Sequence, residues 1–294
     1  MKIYPGILFV LVSIISCRTN RDIEHKPVIT VSILPQKYLL EQIVDDRYKI
    51  NVMIPPGVSP ATYDPTPGQL KQLSKSLAYL RIGHIGFENT WMEKIASINK
   101  SMLLFDLSSG IEYINNDHHH AKNEDDYCNI DPHIWISPKE VKIICFNIYV
   151  ALKILDPTDS LFYEQNYHNF IAVLDSIDRE INKSLSVLKR RKFFIYHPAL
   201  TYFARDYQLE QVSIENEGKA PSPVHMKRLI NLAKEENIRT IFIQEQFDIE
   251  NAQILAKEIE GNIIRINPLD ENLHDQILYI SNQLQKALVS DTIE

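Results

Sequence analysis

The sequence predicts an α/β protein built as two similar β-α lobes with parallel sheets, joined by one long rigid helix. Three observations lead there. From residue 28 onward, short β-branched runs alternate with amphipathic stretches, the pattern of parallel strands linked through helices. The alternation then gives way to a long apolar stripe at helical spacing. After that stripe the alternation resumes to near the C-terminus.

Residues 1–17 stand apart from this plan. Lys2 precedes an apolar run from Ile7 to Ile15 that is too short to span a bilayer and ends at Ser16-Cys17, as a secretory signal does. Ile14-Ile15-Ser16-Cys17 resembles a bacterial lipobox, in which Cys17 becomes the lipidated mature N-terminus. The alternatives are an uncleaved membrane anchor or a buried first strand. Residues 18–27 read as a polar tether.

The N-terminal lobe is expected over residues 28–155. Its strands are Val28 to Ile33, Ile50 to Ile54, Leu77 to Ile82 and Met102 to Phe105, with helices at Gln36 to Val44, Pro67 to Lys75 and Asn89 to Ile98. Thr66-Pro67 supplies a hydroxyl N-cap and a proline at the first helical position. Residues 115–129 break the pattern. Within them, Asp117-His118-His119-His120 and Glu124-Asp125-Asp126 form a loop (117–126) that either collects metal weakly or is only a solvated insert. Helix returns over 138–153.

The linking helix is predicted over 156–192. Asp156 caps it, Pro157 occupies the first helical position and Asp159 sits near the positive end of the helix dipole. Phe170, Leu174, Ile177, Ile181, Leu185 and Leu188 then form one stripe with no Gly or Pro before Lys192. About 33 residues would span ~50 Å, a strut between lobes; a coiled-coil dimer is the competing reading. The C-terminal lobe, 193–294, has strands at Phe193 to Tyr196, Val212 to Glu215, Thr240 to Ile243 and Asn262 to Ile266. Its helices run from Ser222-Pro223 through Glu236, from Ile249 to Glu258 and from Asn272 to Leu288.

Charge and chemistry narrow the function. A formal net charge of −7 argues against nucleic acid as a partner, since that role needs a basic face, and is weakly compatible with binding a cation. Only eight glycines, no phosphate-cradling loop and no nucleophile-base pair argue against catalysis. One histidine motif lies in each half, Asp131-Pro132-His133-Ile134-Trp135 and Tyr196-His197-Pro198-Ala199, so His133 and His197 point to a metal site in the cleft between the lobes. Cys128 and Cys145 are either a disulfide or two separate thiols, Cys145 lying in a predicted helix.

Taken together, these motifs resemble the cluster A-I (zinc/manganese) substrate-binding proteins of bacterial ABC importers, over about residues 28–288. The resemblance is carried by the loop Pro55-Pro56-Gly57-Val58-Ser59-Pro60-Ala61-Thr62-Tyr63-Asp64-Pro65-Thr66-Pro67, by Gly83-His84-Ile85-Gly86-Phe87-Glu88, by the two histidine motifs and by Glu217-Gly218-Lys219-Ala220-Pro221. It implies a metal held by ligands from both lobes. His133 and His197 match two family ligands, whereas the position of the first histidine is Ala61. Asp270 is a candidate for the acidic ligand, offset in sequence; His84 and Glu217 are candidates to complete the set. Glu88 and Glu245 are expected in structural or imidazole-orienting roles. Imidazole ligands favour Zn2+ over Mn2+. The implied protein is an extracytoplasmic, lipid-anchored monomer that delivers a divalent cation to an ABC permease and catalyses nothing. Two other functions remain open: a metallohydrolase with an open two-His, one-carboxylate site, and an adhesin or divergent member binding another ligand.

Overall fold

The computed structural model describes residues 26–115, 130–216 and 218–290. The signal and Cys17, most of the tether, the 117–126 loop, Cys128 and Glu217 lie outside them.

The first lobe runs β1 (Val28–Val31), α1 (Leu34–Val44), β2 (Lys49–Val52), α2 (Pro67–Leu73), β3 (Ala78–Arg81), α3 (Gly86–Ile98) and β4 (Leu103–Asp106). A 3-10 turn at Ile134–Ile136 leads into α4 (Pro138–Leu155), and a second at Pro157–Asp159 leads into α5 (Ser160–Ser186). The second lobe follows as β5 (Lys192–Ile195), α6 (Thr201–Asp206), β6 (Glu210–Ser213), α7 (Pro223–Glu236), β7 (Thr240–Gln244), α8 (Glu250–Glu258), β8 (Asn262–Ile266) and α9 (Leu273–Ser290). The sheets are parallel and ordered β2-β1-β3-β4 and β6-β5-β7-β8, so the lobes share one topology. Among the described residues no helix is long and apolar enough to cross a membrane.

Local chemistry explains the boundaries. Thr66 caps α2 as expected, accepting from the Gln69 amide, while the Gln69 side chain reaches back to the Thr66 backbone. Gly86 opens α3 because a Cβ there would come within 2.6 Å of the Ala61 carbonyl oxygen. That close approach, with the Phe87 amide donating to the Pro60 carbonyl at 2.8 Å, fastens the first loop to α3.

The linking helix is shorter than expected. Asp156 caps only the 3-10 turn, where its carboxylate accepts from the Asp159 amide, and Asp159 pairs with Arg47 instead of serving the long helix. At the other end the Arg191 guanidinium donates to the carbonyls of Leu185 and Ser186, at 2.9 and 3.0 Å. The chain then turns back into β5. The 27 residues of α5 span about 40 Å at 1.5 Å per residue. Its buried face is the stripe of Phe170, Leu174, Ile177, Ile181 and Leu185.

The apolar interior does not divide at the lobe boundary. One core runs from β1 and β3 through α4, α5 and α9 into the second sheet, where it takes Phe193, Ile195 and Phe242. The alternate strand positions, Phe194, Ile241 and Ile243, face the other way and build a smaller core with Leu229 of α7 and Leu255 of α8. Polar ties add to the junction. Arg205 pairs with Glu140, Lys37 pairs with Glu271, and the Trp135 indole donates to the Pro268 carbonyl at 2.8 Å.

Candidate metal centre

His133 and His197 face each other across the cleft with their Nε2 atoms 3.3 Å apart. His133 enters on the segment that leads into the 3-10 turn before α4. The Tyr202 hydroxyl of the second lobe donates to the Asp131 carbonyl at 2.8 Å, which pins this segment. His197 lies just beyond β5, where the Gln244 side chain at the end of β7 clamps its backbone, accepting from the amide at 3.3 Å and donating to the carbonyl at 2.6 Å. β5 and β7 are neighbours in strand order although β6 separates them in sequence, so His197 stands at the switch point of a parallel sheet, the usual place for a ligand site.

Each ring is held from behind by a buried carboxylate. His133 Nδ1 is 2.9 Å from Asp131 Oδ1, and His197 Nδ1 is 2.7 Å from Glu215 Oε1. A carboxylate accepts, so each Nδ1 donates to its own carboxylate and each ring turns its Nε2 into the shared gap. Asp131 also receives the His133 amide and the Thr201 hydroxyl. Burial opposes its ionisation, yet the neighbouring His133 and these hydrogen bonds win and hold its pKa below the ordinary carboxylate value. An Nε2 pair at this distance either shares a proton in a hydrogen bond or is bridged by one cation. Two nitrogens bound at about 2.05 Å to one tetrahedral zinc stand about 3.3–3.4 Å apart, which the observed separation matches.

The other sequence candidates are not brought to this point. His84 adopts φ 62° and packs its ring edge-on against Tyr113, 4.6 Å between centroids. Burial, and after it the charge of Arg81, hold its pKa below the ordinary imidazole value. Asp270 accepts from the Asn272 amide at 2.8 Å and so orders the turn before α9. Neither lines the cavity above the histidines. Glu88 is fully buried and receives the amides of Ile82 and Gly83, at 2.8 and 2.7 Å; it anchors the β3–α3 turn. Glu245 is exposed. The carboxylates that do orient the rings, Asp131 and Glu215, were not singled out from the sequence. The Asp131-x-His133 spacing was a usable signal for the first, whereas nothing local marks Glu215. Cys145 is buried in α4 and pairs with no cysteine among the described residues, and burial pushes its thiol well above the usual pKa.

Removing one orienting charge should weaken metal binding without removing a ligand. Asp131→Asn is expected to cost roughly 10- to 100-fold in zinc affinity, read by competition against a chromophoric chelator. An unchanged affinity would mean that Asp131 serves only the fold.

Two parallel-sheet lobes braced by a long helix, with imidazoles from both meeting in the cleft, define a two-lobed metal-binding protein. The comparisons with known proteins agree. Residues 29–289 match the family model described as zinc-uptake complex component A, periplasmic (ZnuA), and the chain belongs to that family. It is 29% identical over 258 residues to the high-affinity zinc uptake system protein ZnuA of Bacillus subtilis, covering 82% of this chain and 78% of that protein. A crystal structure of ZnuA superposes with a TM-score of 0.84 at 38% identity, over 89% of this chain and 99% of the other. A zinc-bound deletion variant of ZnuA gives 0.83 at 37% identity, over 89% and 98%. The chain is thus an extracytoplasmic transport component that acts with an ABC permease, not an enzyme, and the metallohydrolase alternative is not supported.

Proposed function

We propose that His133 and His197 are this chain's own ligands to a divalent cation, zinc ahead of manganese, which the protein carries as cargo and hands to its permease. The observation that carries the assignment is the 3.3 Å approach of two Nε2 atoms whose Nδ1 atoms are both committed to carboxylates. Neutral imidazoles suit zinc, whereas manganese prefers a site richer in oxygen. Acylation at Cys17 and the polar stretch behind it would tether a monomer to the membrane surface, keeping the cleft within reach of a permease. A single acyl chain gives marginal anchoring, so the mature protein should carry more than one.

Titration of residues 18–294 with zinc and manganese in competition tests the cargo assignment. One zinc per chain, displaced by manganese only in large excess, is expected. Stoichiometric manganese that resists zinc would overturn the order of preference.

A further inference from the structure

We propose that the strand-entry end of the first lobe is a foot that rests on an anionic lipid surface, its aliphatic side chains in the headgroup layer and its lysines at the phosphates; this rests on the reading of Cys17 as the lipidated residue. The strands of a parallel sheet all start at one end. Here that end is a row in which the Lys49 amide donates to the Pro27 carbonyl, Leu77 to Val28 and Leu103 to Leu77, at 2.9, 2.8 and 2.9 Å. The chain that follows Cys17 therefore enters the fold in the same row as Lys49, Leu77 and Leu103.

Two helix ends join this row. α4 descends beside β4, where the Asn147 side chain donates to the carbonyls of Leu107 and Ser109, and carries Ile154 in its last turn. α5 starts here, since Asp159 just before it pairs with Arg47 just ahead of β2. Leu77, Leu103, Ile154 and Leu161 are 48, 45, 57 and 78% exposed. Scattered singly, such residues would call for nothing. Gathered around the root of a tether, they form a face that the interface of a bilayer can bury.

The cations suit the same occupant. Lys49 opens β2, and Lys75 and Lys100 lie on the turns into β3 and β4, all three exposed. Their long stems let the ammonium groups stay with phosphates while the leucines go deeper. Asp46 and Asp159 at this end are already paired, with Lys26 and Arg47. In a chain of formal net charge −7, this end thus offers lysines to an anionic leaflet. The tether keeps the two in reach: the eight residues 18–25 between Cys17 and Lys26 extend to about 30 Å at most. Their sequence, Arg18-Thr19-Asn20-Arg21-Asp22-Ile23-Glu24-His25, is too polar to cover the leucines itself. Ala61 and Ile85, beyond the other ends of β2 and β3, line the metal cavity, so a lobe standing on this foot turns its cleft away from the bilayer.

Nitroxide quenching tests the contact. Ser101→Cys, beside Leu103, and Val187→Cys, at the far end of α5 and about 40 Å along that helix, are each labelled with a fluorophore in the acylated protein carrying Cys128→Ser. The proteins are placed on vesicles of phosphatidylethanolamine and phosphatidylglycerol that contain nitroxide-labelled lipid. The label at 101 should lose most of its emission and the label at 187 little. Lys75→Glu with Lys100→Glu, both exposed positions, should cut the quenching at 101 several-fold. Equal quenching at the two labels overturns the foot, as does quenching at 101 that survives the lysine reversals. So does an emission change at 101 that follows protein concentration and not lipid, as docking of a second copy would give. Protein that fails to float with the vesicles would instead overturn the lipidation reading, and the foot with it.

Discussion

His133→Ala and His197→Ala are each expected to remove most of the tight metal binding, and the double variant to be scarcely worse than either single one. Structural zinc sites hold their ion with roughly 10–16 kcal/mol. Shared among four ligands, that is about 3 kcal/mol each, so losing one imidazole should cost roughly a hundredfold. The non-additivity comes from the geometry. Each Nε2 is 3.3 Å from the other and serves the same point, so once one is gone the second has little left to hold. Isothermal titration of the three variants decides it. Two independent sites would instead leave half the stoichiometry in each single variant, and that result would end the shared-cleft reading.

Ala61→His is expected to act in the opposite direction. Ala61 lines the cavity in front of the two imidazoles, and its backbone is fixed by the close approach of Gly86. A third nitrogen offers about 3 kcal/mol and loses roughly 1–2 kcal/mol in ordering the side chain. The net gain in zinc affinity should be about tenfold. Titration with zinc alone measures it, and an unchanged affinity would mean that the position Ala61 faces is not on the ion.

The fold was legible because its signals were local and periodic. Phe170, Leu174, Ile177, Ile181 and Leu185 predicted the buried face of α5, and Thr66-Pro67 the start of α2. Its limits were long-range. Nothing near Lys192 announces that Arg191 folds back onto the carbonyls of Leu185 and Ser186, so the helix was drawn too long. The six-residue α6 was missed because Thr201–Asp206 is too short to express a helical period. β6 was set two residues late because Glu210 and Gln211, on a strand at the edge of its sheet, carry polar side chains.

The candidate site was half legible for the same reason. The two histidines stand in recognisable motifs, and their separation into two halves pointed to the cleft. Glu215 acts on a histidine 18 residues away through a neighbouring strand, a relation that only the β5–β6 pairing creates. His84 sits in a motif that resembles a site loop, yet its positive φ and Tyr113 fix its ring elsewhere.

The alternation along β5 and β7 has a consequence for how this molecule comes apart. Phe193, Ile195 and Phe242 belong to the large core, whereas Phe194, Ile241 and Ile243 belong to the small one with α7 and α8. Cooperative units of stability follow contiguous burial and not outline. The seam of weakness therefore runs along the outer face of the second sheet. On that rule the first lobe, α5, α9 and the inner face of that sheet are expected to melt as one body, with the α7–α8 layer able to loosen on its own. His197 hangs at that seam, its backbone on the main body through Ile195 and its ring against Phe247, whose side chain packs on the smaller core.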